Sequence, residues 1–283
     1  MDIDSVLQNK SKKEYNKEEY KAYKKEEKQQ IYDLADQTAN KTLTSPEMLK
    51  TYLDVQARFA NYSMNNALLI AAQMPNARMI KSLDEWKKIG AYAKPQCKFI
   101  TILEPGQKFL KSDNSISTTF NTKKVLDVSQ TTIALGNDTK KYNAEEMFKA
   151  FIYKCPYNIE AADELNEGKT VEHNGDTIYI KRGFEETKMF TELSLAFTNA
   201  EMNIYSDSSL NDFVSNCSAY MICKSVGIDS ELFDLTIPES IKDIDIVDKK
   251  NILTQMKNLM DDHINRINVY YKNKEQRNQN YER

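Results

Sequence analysis

The hydrophobic pattern of this chain is helical over most of its length and becomes strand-like in only a few short segments. Residues 97–105 and 122–131 have the pattern of buried strands, and residues 170–183 alternate around the pair Asn174-Gly175. Short strands between long amphipathic segments are typical of α+β folds. We therefore expect a helix-rich α+β fold with a small sheet in the N-terminal half and a β-hairpin in the C-terminal half.

Local signals place the helices and the hairpin. Ser45 precedes Pro46, Ser63 precedes a second apolar stripe, and Ser82 with Glu85 has the spacing of a capping box. The Asn174-Gly175 pair predicts a tight hairpin turn, because both of its positions need a positive φ. Helices of the second half are expected at residues 144–155, 185–204, 209–226 and 249–271.

Two polar stretches resemble linkers, one between the first two strands and one at residues 135–143. We place a domain boundary near residue 140 and expect two domains. Residues 10–28 hold eight lysines and five glutamates, which favours a solvated charged helix over a dedicated DNA-binding arm. The expected parts are a charged leader helix at 1–28, domains at 29–140 and 141–271, and a disordered tail at 272–283.

The composition excludes several classes. Seven glycines and six prolines argue against a glycine-rich nucleotide-binding enzyme and against a turn-dense β fold. No signal-like leader and no run of about 18 apolar residues is present, so we expect a soluble cytoplasmic protein without a membrane partner. The cysteines form no CxxC pair and are expected to be free, mostly buried thiols: Cys97, Cys155, Cys217 and Cys223.

Charge is distributed unevenly. Residues 1–125 carry 21 basic against 15 acidic side chains, and residues 126–283 carry 18 against 27. Any nucleic-acid contact is therefore expected in the N-terminal half.

Residues 62–94 resemble the N-terminal domain of the ArdC-type antirestriction proteins of conjugative elements. They contain the YSxNNxLLI helix, then Gln73, Pro75, and Trp86 four residues before Gly90, and the strand VLDVSQT at residues 125–131 is similar to the family's later motif. Gln96 and Phe99 stand where family members have glycines. The resemblance implies single-stranded DNA binding by residues 29–140.

Cations and rings are interleaved in this region, as single-strand binding requires. Trp86 could instead be a core anchor, and Asn65 and Asn66 could serve a helix cap or a buried polar network. The candidate DNA contacts are Arg58, Tyr62, Asn65, Asn66, Arg78, Trp86, Lys87, Lys88, Lys94 and Lys98.

The C-terminal half resembles the zincin-like metallopeptidase domain of the same proteins. The stretch NCSAYMICKSVGID, residues 216–229, fixes the register and puts FTELSLAF, residues 190–197, at the zinc-binding HExxH helix. Thr191 and Leu195 then occupy the histidine positions, Asn216 the acidic ligand position, and only the base persists, as Glu192. These side chains lack the donors that zinc needs, so we expect no catalytic residue, no metal and no cofactor. His173 and His263 lie too far apart in the sequence to suggest a substitute site.

Three hypotheses follow. The first is a nonenzymatic conjugative-transposon protein that binds single-stranded DNA, with a degenerate metallopeptidase-like second domain. The second is an interaction or antirestriction module whose acidic second half contacts a protein of conjugation or host defence. The third is a working hydrolase with an unusual site.

Overall fold

A computed structural model describes residues 17–133, 143–166, 168–183, 185–202, 204–229 and 231–281. Within these ranges the chain forms helices around two three-stranded sheets, which confirms the expected α+β class. No helix of the described ranges combines the length and apolar character needed to span a bilayer.

Three helices begin the described chain: α1 (Lys17–Thr42), α2 (Pro46–Arg58) and α3 (Met64–Gln73). The predicted caps are present, because Ser45 accepts a hydrogen bond from the backbone of Met48 and Ser63 accepts one from Asn66. Residues 17–28 of the lysine-rich leader are part of α1, and residues 1–16 lie outside the described ranges. Ile31 and Ala35 of α1 pack against Leu69 and Leu103, so the helix is docked on the fold.

The first sheet is antiparallel in the order β1 (Ile80–Lys81), β3 (Ile116–Asp127), β2 (Ile100–Leu110). Between β1 and β2 lies the short helix α4 (Leu83–Lys88), which begins with the predicted capping box of Ser82 and Glu85. The two predicted strands are confirmed, but they extend much further. Most of the polar stretch expected to be a loop is strand, because threonine, isoleucine and phenylalanine suit a paired, exposed hairpin.

The second half begins with α5 (Ala144–Ile152). Its sheet has the order β4 (Asn158–Ala162), β6 (Thr177–Lys181), β5 (Val171–Asn174). The hairpin of β5 and β6 is confirmed, but its turn lies one residue later than predicted. Asn174 is the last residue of β5 and pairs with Thr177, so the turn is Gly175-Asp176, and of the predicted pair Gly175 alone has a positive φ, 61°. Strand β4 runs parallel to β6 and was not foreseen, since its five residues show no clear alternation. The remaining helices are α6 (Glu186–Glu201), α7 (Ser208–Ser225) and α8 (Ile246–Tyr281).

Helix α8 continues through residues 272–281, where disorder was expected, and the structure differs from that expectation for a local reason. Glu146 of α5 accepts hydrogen bonds from Tyr270 at 2.9 Å and from Lys274 at 2.5 Å, and Asn273 donates to the Tyr153 hydroxyl at 2.9 Å. At its other end, α8 meets α1 through Lys250 and Asp36, 2.7 Å apart. A polar tail is thus held by side-chain pairs instead of an apolar face.

One hydrophobic core includes residues from both halves of the chain. Tyr52 and Leu53 of α2 share it with Phe190 of α6, Met221 of α7 and Met256 of α8. The boundary expected near residue 140 falls outside the described residues, so the division into two domains stays a prediction.

Candidate functional site

The outer edge of β2 is closed by two amide side chains of α3. Asn66 accepts from the Leu103 backbone N–H and donates to the Leu103 carbonyl, both at 2.8 Å. Gln73 makes the same pair of bonds to Thr101, both at 2.9 Å. Residues two apart in a strand direct their backbone groups to the same edge, so the two amides replace a neighbouring strand. Asn66 therefore belongs to the buried polar network, and its side chain is not presented to a ligand.

Asp127, at the end of β3, organises the turn that follows. Its fully buried carboxylate accepts backbone N–H bonds from Arg78, Met79 and Ser129 and a 2.6 Å bond from the Ser129 hydroxyl. Burial opposes its ionisation, but the bonds from Ser129, Met79 and Arg78 outweigh burial and hold the pKa of Asp127 below its usual value. The carboxylate is thereby a fixed structural charge.

The turn after β3 holds the loop of residues 94–99. The side-chain amide of Gln130 donates to the backbone carbonyl of Lys98 at 2.7 Å. The backbone carbonyl of Gln130 accepts from the backbone N–H of Lys94 at 2.8 Å. The Lys94 ammonium reaches the Ser129 carbonyl at 2.9 Å. Trp86 supports the same region from inside, since its indole N–H donates to Leu126 at 2.9 Å and its side chain is 1% exposed. Of the two alternatives for Trp86, the structure therefore shows the core anchor. Its buried ring is not available to stack on a base.

A cleft of about 370 Å³ opens between this loop and the end of α3. None of its lining residues carries a carboxylate, whereas it includes two lysines and the ring of Phe99, which is 41% exposed. We call it the loop cleft; its lining residues are Gln73, Met74, Lys94, Pro95, Gln96, Cys97, Lys98, Phe99, Ile100 and Gln130.

This loop contains Gln96 and Phe99, the two residues that stand where the ArdC-type motif has glycines. Gln96 has a φ of 61°, which lies in the left-handed region that glycine adopts more readily than other residues. Phe99 brings an aromatic ring into the loop cleft instead. Phe99 was not among the predicted contacts, although its place at a glycine position of the motif could have drawn attention to it.

The other candidate DNA contacts are spread over the surface around this cleft. Arg58 donates to the Pro75 carbonyl, next to the cleft residue Met74, and the side chains of Arg78, Lys87 and Lys88 are exposed. Of the predicted cations, the structure therefore brings Lys94 and Lys98 together in the cleft.

Tyr62 and Asn65 are partly buried. The Tyr62 ring meets Phe59 edge-on at 5.6 Å, and burial raises its pKa, with a contribution from Glu85. The side-chain oxygen of Asn65 is buried without a hydrogen-bond partner among the described residues.

The helix at the HExxH position uses its polar groups internally. Glu192 accepts from the backbone N–H groups of Thr170 at 2.7 Å and Val171 at 2.9 Å, and so ties α6 to the start of β5. Thr191 donates to the carbonyl of Thr187 at 2.7 Å. Leu195 is half-buried against the hydrophobic core. The Thr191 hydroxyl and the Leu195 alkyl group, which stand at the two histidine positions, are not zinc ligands.

Asn216 in α7 is engaged as well. Its amide donates to the Asp212 carbonyl at 2.9 Å, and its oxygen accepts from the Asp234 backbone at 3.0 Å. Over the part of the chain that the structure describes, no three His, Cys, Asp or Glu side chains are grouped so that they could hold a metal ion.

The two histidines are each packed against aromatic rings. His263 is buried beside Phe197, with Glu201 at 3.6 Å, and burial lowers its pKa while Glu201 opposes that effect. His173 meets the ring of Tyr157 edge-on at 5.2 Å. Both positions are accounted for by packing and hydrogen bonding in the second half.

No protein-family model and no curated protein matches the chain. Among the solved structures similar to it is the metal-free crystal structure of the antirestriction protein ArdC from plasmid R388, with 12% identity and a TM-score of 0.49, covering 74% of this chain and 85% of that chain. The Mn(II)-bound crystal structure of that protein has 11% identity and a TM-score of 0.47, covering 73% and 83% of the two chains.

Proposed function

We propose that this protein is a nonenzymatic, antirestriction-like protein of a mobile element that binds single-stranded DNA through the loop cleft. The observation that carries the proposal is the chemistry of that cleft: Lys94 and Lys98 for phosphates, an exposed Phe99 ring for a base, and no carboxylate in the lining. Single strands are bound by this combination of basic groove and stacking ring without a need for base-specific contacts.

The surrounding motif residues support the proposal by making the cleft rigid. Gln73 fixes Thr101, the second residue of β2, and Gln130 fixes Lys98 through the Lys98 backbone carbonyl. The residues that resemble the ArdC-type motif therefore hold the loop, and Lys94, Lys98 and Phe99 of the loop supply the contacts. A preformed cleft loses little conformational entropy on binding.

Fluorescence anisotropy with a labelled oligothymidylate, measured over a range of salt concentrations, tests the proposal. We expect binding that weakens as salt rises, and a loss of about 5- to 150-fold for Phe99→Ala, the range of one stacked base. Lys98→Gln should weaken binding and flatten the salt dependence, because the exposed Lys98 ammonium is replaced by a neutral amide. Lys169→Gln, an exposed lysine of the second half, is the matched control. Absence of binding by the unmodified protein at low salt would refute the proposal.

The proposed lack of enzymatic activity rests on the use that the structure makes of Glu192. This carboxylate accepts two backbone N–H groups, so the residue at the general-base position is part of the scaffold. We expect substoichiometric zinc in the purified protein and no hydrolysis of a casein or peptide-library substrate after zinc addition. Stoichiometric zinc that is lost in Glu192→Gln or Asn216→Ala would contradict this part of the proposal.

A second candidate function is protein binding by the acidic half. Its specific support is that three apolar side chains of the acidic half are each more than half exposed: Ile204 at 57%, Leu232 at 62% and Val247 at 62%. Such side chains are common at protein contact sites. Cross-linking to conjugation or host-defence proteins, lost in a Leu232→Ser and Val247→Ser double variant, would favour this function, and unchanged cross-linking would exclude this surface.

A further inference from the structure

A second basic cleft lies between α1 and β3. Its lysines are part of the charged leader helix, which the sequence analysis predicted to be solvated. It measures about 470 Å³ and is lined by Tyr20, Lys24, Lys25, Lys28, Asn121 and Thr122. We call it the helix cleft. It is separate from the loop cleft, since the two share no lining residue.

The helix cleft is built by a specific contact of α1. Glu27, whose side chain is 13% exposed, accepts from Lys24 at 2.7 Å and from Thr122 at 3.0 Å, and its other oxygen lies 3.7 Å from Lys124. The hydrogen bond from Lys24 lowers the pKa of Glu27. The charge of Glu27 is therefore compensated by Lys24 and Lys124, and its bond to Thr122 ties α1 to β3.

The remaining cations of the cleft are available for an anion. Lys25 and Lys28 have no salt-bridge partner within the described ranges, and the Lys28 ammonium lies 5.8 Å from the ring centre of Tyr32. Aromatic surface is close by, because Tyr20 in the lining is 52% exposed and Phe120, next to Asn121, is 39% exposed. Free ammonium groups beside exposed rings are the chemistry that fits a single-stranded nucleic acid.

The position of the helix cleft relates it to the loop cleft. Asn121 and Thr122 pair with Glu104 and Leu103 of β2, and the loop cleft ends at Ile100 of the same strand. Three to four strand residues correspond to about 10–14 Å. A single strand bound in the loop cleft can therefore reach the helix cleft within a few nucleotides.

We infer that the helix cleft is a second binding site for the phosphates and bases of the same single-stranded DNA, so that α1 extends the binding site along the β2–β3 hairpin. This inference rests on the proposed function of the loop cleft. It adds a prediction of its own: the affinity for single-stranded DNA depends on the length of the DNA strand.

The test compares an oligothymidylate of about 6 nucleotides with one of about 24 nucleotides, lengths chosen around the known range of single-strand sites. In the full chain, Lys25→Gln with Lys28→Gln should leave the affinity for the short strand unchanged. The same variant should bind the long strand roughly tenfold or more weakly at 0.1 M salt, and its salt slope should fall by about 1.4, because each lost phosphate contact contributes about 0.7.

A second variant and a control complete the design. Tyr20→Ala removes one exposed ring without changing charge and should weaken binding of the long strand alone, by about fivefold or more. Lys169→Gln with Lys272→Gln, two exposed lysines of the second half, makes the same charge change and should have no length-dependent effect.

The outcomes separate the two ideas. If the unmodified protein binds neither strand, the proposed function fails, and the inference fails with it. If the unmodified protein binds both strands, and the helix-cleft variants bind the long strand with unchanged affinity and unchanged salt dependence, the inference alone is refuted. An equal loss for the short and the long strand would also refute it, because the helix cleft would then not extend the site.

Discussion

Replacing Asn66 tests the conclusion that its amide closes the edge of β2. Asn66→Ala removes both hydrogen bonds to Leu103 and leaves a buried N–H and a buried carbonyl without partners. Each unsatisfied buried group costs about 1–3 kcal/mol, so the loss of both partners should lower the free energy of unfolding by roughly 2–6 kcal/mol. Urea denaturation followed by circular dichroism measures this loss from the midpoint at an unchanged m value.

The neighbouring residue provides a matched control. Asn65 has the same side chain in the same helical turn, but its buried oxygen has no partner among the described residues. Asn65→Ala should therefore be close to neutral or slightly stabilising, since it removes an unsatisfied buried group. The reasoning is refuted if the two substitutions have equal effects, or if Asn66→Ala costs less than about 0.5 kcal/mol, the size of an ordinary surface change.

Further predictions concern the loop, the turn and the helix at the HExxH position. Gln96→Gly should stabilise the protein by about 0.5–1 kcal/mol in urea denaturation, because relief of the left-handed strain exceeds the added entropy of glycine, whereas a loss would show that the Gln96 side chain matters more than its φ. Asp127 has a folded pKa below its unfolded value near 3.9, so it stabilises the fold above about pH 4 and this contribution is lost as pH falls through the folded pKa. Asp127→Asn should therefore be less stable at neutral pH and show a flatter dependence between about pH 2 and 4; a slope equal to that of the unmodified protein would contradict the assignment. Glu192→Ala should lower the melting temperature, as it frees two backbone N–H groups at about 1–3 kcal/mol each, whereas Glu192→Gln should retain an acceptor and cost less.

Local features of the fold were predictable from the sequence because their causes are local. The caps at Ser63 and Ser82 act within three residues, and the turn at Gly175 needs only its own positive φ. The extension of β2 and β3 was missed, since serine, asparagine and threonine favour loops as well as exposed strands. The order of α8 beyond residue 271 was missed too, because it depends on Glu146, more than 120 residues earlier.

The candidate site shows the same limit. Sequence motifs indicated Asn66 and Trp86 as candidate contacts, yet one closes a strand edge 37 residues away and the other fills a core. Both residues make long-range hydrogen bonds, Asn66 to Leu103 and Trp86 to Leu126, and the periodicity of a sequence does not reveal such bonds. Lys94 and Lys98 were predicted to be exposed cations, and the structure places both in the lining of the loop cleft. The position of Phe99 beside them became clear only from the structure.

Helix α8 has a mechanical consequence for the whole chain. With 36 residues it is about 54 Å long, and it contacts α1 near its start and α5 near its end. A pulling force applied to either half would be transmitted through α8 to the shared hydrophobic core. The two halves are then expected to lose structure together, in a single cooperative step, so that ligand bound to α1 would also raise the resistance of α5 to unfolding.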